Sequence, residues 1–250
     1  MSRFYYHPSP LEGTALVLSP EETKHLLVER VSPGSSLFIG DGGGHLFSGS
    51  FIGLFHRQAK VEICQQIMVP KNRYHLTVWQ PLLKVASRMD WIVEKLTEIG
   101  VTTIGLFLSE RCAQSSFSSE RLERWKKISR EACKQSGRLV FPRLLCFEEW
   151  KQFVTAVEAL GGMVLVGEPK GETIFPFSSQ SSFSPIQLII GPEGDLTDGE
   201  KEVFRKRKET FFVRFSKHIL RSETASLYGA ILCMTYWEQR FEDSHKNSGM

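Results

Sequence analysis

Two short stretches of this chain bring together residues suited to chemistry. The first is Leu188-Ile189-Ile190-Gly191-Pro192-Glu193-Gly194, an apolar run that breaks into a proline flanked by glycines. Such a run reads as a buried strand, and glycines at its end let main-chain groups approach a ligand closely. Phosphate suits the turn poorly, because Glu193 would set a negative charge against it and no lysine is embedded there. A neutral or cationic ligand fits better, although a plain strand-to-helix turn would use the same residues. The second stretch is His218-Ile219-Leu220-Arg221-Ser222-Glu223-Thr224-Ala225-Ser226. Its guanidinium and carboxylate are side chains of the kinds that stabilise an anion and accept a proton. They straddle the start of a predicted helix, where Glu223 also fits a purely structural role against the helix dipole.

Turns of this kind work together only if neighbouring strand tips carry them. From Val69-Pro70-Lys71-Asn72-Arg73 onward the sequence alternates apolar runs with long amphipathic segments. This predicts strands at 75–80, 102–108, 163–167, 187–191 and 211–215, and helices at 87–99, 119–136, 147–160, 197–208 and 223–238. Met89, Ile92, Val93, Leu96 and Ile99 share one helix face before Gly100 ends it. Thr197-Asp198-Gly199-Glu200 is a capping box, and Ala225, Ser226, Gly229 and Ala230 permit close helix packing. Alternating elements imply a mainly parallel sheet covered by helices, with ligands at the carboxyl ends of its strands. Serines in 178–184 mark a loop.

Before that boundary the pattern is different. Short apolar runs beginning at 15, 36, 45 and 59 read as strands of a β-rich unit. One helix interrupts them, opened by Ser19-Pro20-Glu21-Glu22. Asp41-Gly42-Gly43-Gly44 reads as a hairpin turn rather than a phosphate cradle, since no Lys-Ser/Thr follows. The expected organisation is a small β domain at 1–70, an α/β domain at 74–240 and a tail at 241–250.

Of the 250 residues, 41% are hydrophobic and 24% charged, a balance that supports packed cores. No segment approaches the roughly 20 apolar residues of a membrane helix, and Met-Ser-Arg-Phe-Tyr-Tyr lacks a signal peptide's apolar centre, so a cytoplasmic protein without a membrane partner is expected. Cys64, Cys112, Cys133, Cys146 and Cys233 are scattered and form no metal-ligand spacing, which predicts buried reduced thiols and no metal. A net charge of +3 says little about nucleic acid. The basic runs Lys126, Lys127, Arg130, Lys134, Arg138 and Arg205, Lys206, Arg207, Lys208 read as solvated faces. Neither a Walker loop nor G-x-G-x-x-G is present, which places a nucleotide-binding enzyme last.

Gly191-Pro192-Glu193-Gly194 followed by Ile219-Leu220-Arg221-Ser222-Glu223-Thr224-Ala225 resembles the paired signature of the SPOUT methyltransferases, in particular the bacterial 16S ribosomal RNA uridine N3-methyltransferases. Glu94-Lys95-Leu96-Thr97-Glu98-Ile99-Gly100-Val101, Glu131-Ala132-Cys133-Lys134-Gln135-Ser136-Gly137-Arg138 and the early Arg3-Phe4-Tyr5-Tyr6 are similar to that family too. The resemblance implies an N-terminal PUA-like RNA-binding β-barrel, a trefoil-knotted α/β methyltransferase domain, and a homodimer with active sites at the subunit interface. It also implies S-adenosyl-L-methionine as cofactor, held by main-chain groups near Val166 and Gly167, at Ile190, Gly191, Glu193 and Gly194, and at Ser216, Ile219 and Leu220. Where relatives carry Leu-Gly this chain has Phe215-Ser216.

The implied activity is methylation of N3 of a uridine in 16S ribosomal RNA of the small ribosomal subunit. Arg221 would stabilise negative charge on the uracil oxygens while Glu223 or water takes the proton. Arg3, Lys84, Arg111 and Arg138 are the candidates for gripping RNA phosphates. A methyltransferase for another RNA or position, and a non-catalytic ribosome-assembly protein with the same fold, are the alternatives.

Overall fold

The computed structural model describes residues 3–69, 74–172 and 185–247, so positions 70–73 of the turn-prone peptide and the serine loop at 178–184 lie outside the described residues. Contacts divide the chain into two units, Met1–Asn72 with Cys133–Phe141, and Arg73–Ala132 with Pro142–Met250.

The first unit holds β1 (Phe4–Tyr6), β2 (Ala15–Val17), α1 (Pro20–Val28), β3 (Ser36–Gly40), β4 (Leu46–Phe55) and β5 (Gln58–Ile67). Its sheet has the order β1-β3-β4-β5-β2, with β1 parallel to β3 and every other pair antiparallel. Side chains alternate between faces along a strand, so Phe47 and Phe51 of β4 and Ala59, Val61 and Ile63 of β5 turn inward. They join Tyr5, Leu18, Leu26 and Leu37 in one apolar core. Ser19 caps α1 by accepting from the Glu22 amide at 3.1 Å, with Pro20 at the first position. The turn after β3 is a hairpin, as expected, in which Asp41 Oδ1 accepts from the amides of Gly43 (2.7 Å) and His45 (3.0 Å). The outer strands β1 and β2 do not pair with each other among the described residues, so strand pairing does not close this sheet.

Lys134 departs from the solvated reading of its basic run. It is paired with Glu22 inside this unit, and its side chain is only 7% exposed.

The second unit contains β6 (Leu76–Pro81), α2 (Ala86–Ile99), β7 (Thr103–Phe107), α3 (Ser119–Ser136, whose end falls in the first unit), β8 (Arg143–Phe147), α4 (Trp150–Leu160), β9 (Met163–Glu172), β10 (Ile186–Ile189), α5 (Asp198–Arg205), β11 (Thr210–Val213) and α6 (Ser222–Asn247). All six strands are parallel in the order β11-β9-β10-β6-β7-β8, which makes this an α/β fold. Alternation again sorts the side chains. Leu76, Val78, Ile186 and Leu188 pack with Met89, Ile92 and Leu96 of α2 and Met234 and Trp237 of α6. Trp79, Val164, Val166 and Ile189 pack on the opposite face with Phe153 and Val157 of α4 and Phe204 of α5. Burying side chains of this size stabilises by about 1.5–3 kcal/mol each, so a sheet covered on both faces has its largest driving force at its centre.

Close approach fixes α6 on the sheet. A Cβ at Gly229 would stand 2.7 Å from Leu188 and 3.0 Å from Phe215, so a larger residue there would have to displace core side chains. Strand β8 was not predicted, and the helix expected from 147 begins at Trp150. Helix α6 continues to Asn247, which makes 241–247 helical rather than a tail. No described helix is long and apolar enough to cross a membrane.

All five cysteines are free thiols, but only Cys133 and Cys233 are buried; Cys112 and Cys146 are half-buried and Cys64 is exposed on β5, against the expectation that all five would be buried. Burial pushes the Cys133 thiol up to about 11 and that of Cys146 up to about 12, so both are poor nucleophiles near neutrality.

Candidate functional site

The connections after β10 and β11 meet Gly167, Glu168 and Pro169 of β9 at the carboxyl ends of β10 and β11, where a parallel sheet leaves room for ligands. Together they enclose a cavity of about 450 Å³, within the usual range for small-molecule sites.

The turn after β10 is held by an ion cluster. Asp195 takes a left-handed backbone conformation, φ 61°, which is uncommon for a residue with a side chain. Its carboxylate offsets that strain: Oδ1 accepts from the Leu196 amide at 2.7 Å and Oδ2 from Lys201 Nζ at 2.6 Å. Lys201 also reaches Glu168 Oε2 at 2.6 Å, so a single ammonium clamps β9 to the turn after β10. Burial lowers the Lys201 pKa, but hydrogen bonds from its ammonium to the two carboxylates outweigh it and hold the group above the ordinary lysine range. Behind this clamp, Thr197 and Glu200 form the expected capping box at 3.3 and 2.8 Å.

A buried polar network holds the start of α6. Gln80, fully buried at the tip of β6, donates through Nε2 to Ser222 Oγ (3.0 Å) and to the Pro81 carbonyl (3.1 Å), and its Oε1 accepts from Ser226 Oγ. Ser222 in turn donates to the Gly191 carbonyl at 2.8 Å. The helix that follows Arg221 is thereby tied to the turn after β10. Each buried group left without its partner here would cost about 1–3 kcal/mol, which rigidifies the arrangement.

The connection after β11 carries the departure Phe215-Ser216. A Cβ on Gly167 would stand 3.0 Å from the Phe215 ring and 3.2 Å from Ile190, so the bare glycine makes the room that the larger aromatic occupies.

Of the residues expected at the cofactor, Gly167, Ile190, Gly191, Glu193, Ser216, Ile219 and Leu220 line this cavity. Val166 lies beneath it, fully buried in the opposite core. Gly194 faces away, its carbonyl accepting from Arg111 Nη1 at 2.8 Å. Arg221 lines the cavity, is exposed, and makes no ion pair among the described residues. Glu223 is not a lining residue: its Oε1 lies 3.4 Å from Nε of Arg88, which is. The second oxygen of Glu223 is buried and accepts no hydrogen bond among the described residues.

The candidate phosphate-gripping residues divide between the units, Arg3 and Arg138 in the first, Lys84 and Arg111 in the second. Arg3 and Lys84 are exposed, while Arg111 is occupied in part by the Gly194 carbonyl.

Sequence reasoning missed Gln80, Arg88, Lys201 and Glu168. A polar residue closing the apolar run Leu76-Thr77-Val78-Trp79-Gln80 was the one local signal for Gln80. For Lys201, an ordinary helix position, there was none. Among the described residues, no group of three or more His, Cys, Asp or Glu side chains is placed to hold a metal.

Comparison with known proteins agrees with this geometry. Residues 70–234 match the RNA methyltransferase domain family. The ribosomal RNA small subunit methyltransferase E 2 of Borreliella burgdorferi is 30% identical over 178 residues, 70% of each chain. The ribosomal RNA small subunit methyltransferase E of Rickettsia conorii is 27% identical over 90% of this chain and 92% of its own. Among solved structures, the enzyme of that name from Neisseria gonorrhoeae, bound to S-adenosyl methionine, superposes with a TM-score of 0.82 at 26% identity, covering 94% of this chain and 98% of the other. Matched along most of its length and carrying its strand-end turns around one cavity, the chain belongs to the RNA methyltransferase family, among the ribosomal RNA small subunit methyltransferases E.

Proposed function

We propose that this protein uses S-adenosyl-L-methionine to methylate N3 of a uridine in 16S ribosomal RNA of the small ribosomal subunit. The observation that carries this reading is the convergence of the connections after β10 and β11 with residues 167–169 of β9 on one cavity with Arg221 on its wall, in a chain of this family. The cavity fits the cofactor: its lining surface is largely apolar, with Gly167 and Gly191 letting main chain reach its wall. Gly167, Ile190, Gly191, Ser216, Ile219 and Leu220 would hold it, with Val166 and Gly194 supporting their loops from behind. Bound there, it supplies a methyl group on a positively charged sulfur, open to in-line displacement without a metal.

The uridine N3 carries a proton and is a weak nucleophile until the proton leaves. Arg221, with no competing ion pair, sets positive charge where the uracil oxygens gain negative charge. Glu223 or water receives the proton; Glu223 lies one residue behind the cavity wall, its Oε1 against Arg88, which lines it. Arg88, held by that carboxylate, brings a second guanidinium to the cavity.

The reading extends to assembly and fold. A homodimer would cover the exposed Ile219, Tyr228 and Ile231, which flank the cavity and α6 at 85%, 44% and 46% exposure. The resemblance to the SPOUT methyltransferases extends the proposal to a trefoil knot in the second unit. We read the first unit as a PUA-like RNA-binding barrel at 1–70, followed by the methyltransferase domain at 74–240, with Arg3, Lys84, Arg111 and Arg138 contacting phosphates in the cytoplasm. A labelled-methyl assay on unmodified small subunits and on naked 16S rRNA, with nucleoside mass spectrometry, tests the function. The expected product is 3-methyluridine, and a methyl group on any other atom, or none, contradicts the reading.

A further inference from the structure

The hairpin between β4 and β5 ends in a turn whose residues are wrong for the turn alone. Phe55 pairs with Gln58, which leaves His56 and Arg57 as a two-residue loop with φ of 47° and 67°. Positive φ at both positions defines the turn that Asn-Gly or Asp-Gly makes with least strain. A bulky imidazole and a guanidinium held in the left-handed region therefore weaken the hairpin, and strain of this kind points to side chains kept for another purpose.

What surrounds them is consistent with one purpose. Leu54 and Phe55 are 55% and 53% exposed, far from any role in the core of the unit. The Phe55 and His56 rings meet edge to face at 4.3 Å between centroids, and Lys60 Nζ lies 5.8 Å from the Phe55 ring. Gly53, paired with Lys60 across the strands, is bare, and a Cβ there would touch nothing within 4 Å. A register irregularity between Phe51 and Gly53 re-aims the end of the hairpin. From 51 to 61 the sequence has no Asp or Glu, whereas Arg57 and Lys60 are cationic.

Exposed aromatic rings beside cations, with open space at a glycine and the exposed Glu62 two residues beyond Lys60 rather than at the tip, match the way unpaired nucleotides are bound: bases stack on rings while phosphates meet the charges. We propose that the β4–β5 tip is a stacking platform for unpaired RNA, with Phe55 and His56 contacting bases and Arg57 and Lys60 the flanking phosphates. The proposal rests on the RNA methyltransferase reading and deepens it, because it assigns substrate contacts to a surface remote in sequence from every residue of the cavity.

The test uses the full chain and fluorescence anisotropy with labelled oligouridylate and with 16S rRNA. Phe55→Ala should weaken oligouridylate binding about tenfold. The double variant His56→Asn with Arg57→Gly should bind more weakly and lower the salt slope by about 0.7. It should also melt at a higher temperature, since it installs the favoured turn, which separates lost binding from lost folding. Wild type that binds RNA while both variants bind it equally well overturns the platform and leaves the methyltransferase reading standing. Wild type that binds neither RNA overturns the platform, and the methyltransferase reading then stands or falls on the labelled-methyl assay with small subunits. If the variants instead change the sedimentation of the chain and leave RNA affinity intact, the tip is a contact between copies and the proposal fails.

Discussion

The cavity beside β10 and the tip of the β4–β5 hairpin both hold strained, non-glycine residues, yet they sit on different foundations. Asp195 in the cavity turn is cross-braced by Lys201, which also grips Glu168, and the neighbouring turn is tied through Gln80, Ser222 and Ser226. His56 and Arg57 stand exposed at the end of two strands. A site that must hold a reactive group and its target in register needs buried, fully bonded supports, because a small misplacement there is costly in rate. A surface that collects single-stranded RNA tolerates looser geometry, since stacking and charge are forgiving of angle.

Breaking the chemistry without touching the supports should give the largest effect. Arg221→Ala should slow methyl transfer by about 100-fold or more, the scale for losing a group that stabilises developing charge. Cofactor affinity, measured by calorimetry, should stay near wild type. Equal single-turnover rates for the two proteins would remove Arg221 from the chemistry.

Breaking a support should act next most strongly, and on stability first. Lys201→Met leaves Glu168 and Asp195 close together without their shared cation, which should cost about 1–3 kcal/mol in urea unfolding. That is below the full loss for a buried pair, because Asp195 is about a third exposed. Unchanged stability would show that the clamp is dispensable.

The smallest effect is one of pH. The folded pKa of Lys201 is raised above its unfolded value, so its contribution is fully present below about 10.5, the unfolded lysine value, and fades as pH rises through the folded pKa. Thermal melts of wild type should therefore show no loss from this group between neutrality and mildly alkaline pH, with a decline only in strong alkali that Lys201→Met lacks. A parallel alkaline decline in the variant would assign it elsewhere.

Local rules made parts of this architecture readable. Gly100 ends α2 with φ 104°, Thr197 caps α5, and short apolar runs placed most strands of both units, because each signal is complete within a few residues. The turns at Gly191 and Ile219 were readable for the same reason, and their joint meaning came from resemblance. Strand β8 was missed because Leu144-Leu145-Cys146-Phe147 runs almost directly into the amphipathic pattern of α4, and as an outer strand it is only half-buried. The supports were illegible on other grounds. Gln80 and Ser222 are 142 positions apart, Gln80 and Ser226 146, and no periodicity reports a hydrogen bond across that distance.

The account stands on the claim that the cavity walled by Gly167, Ile190 and Phe215 belongs to the methyl donor. Calorimetric titration of S-adenosyl-L-methionine into wild type and Gly167→Val measures this directly, with circular dichroism to check the fold. Wild type should bind, and the variant should keep its fold and bind at least about tenfold more weakly, since added methyl groups would fill a close-packed wall. A folded variant with wild-type affinity would contradict the account.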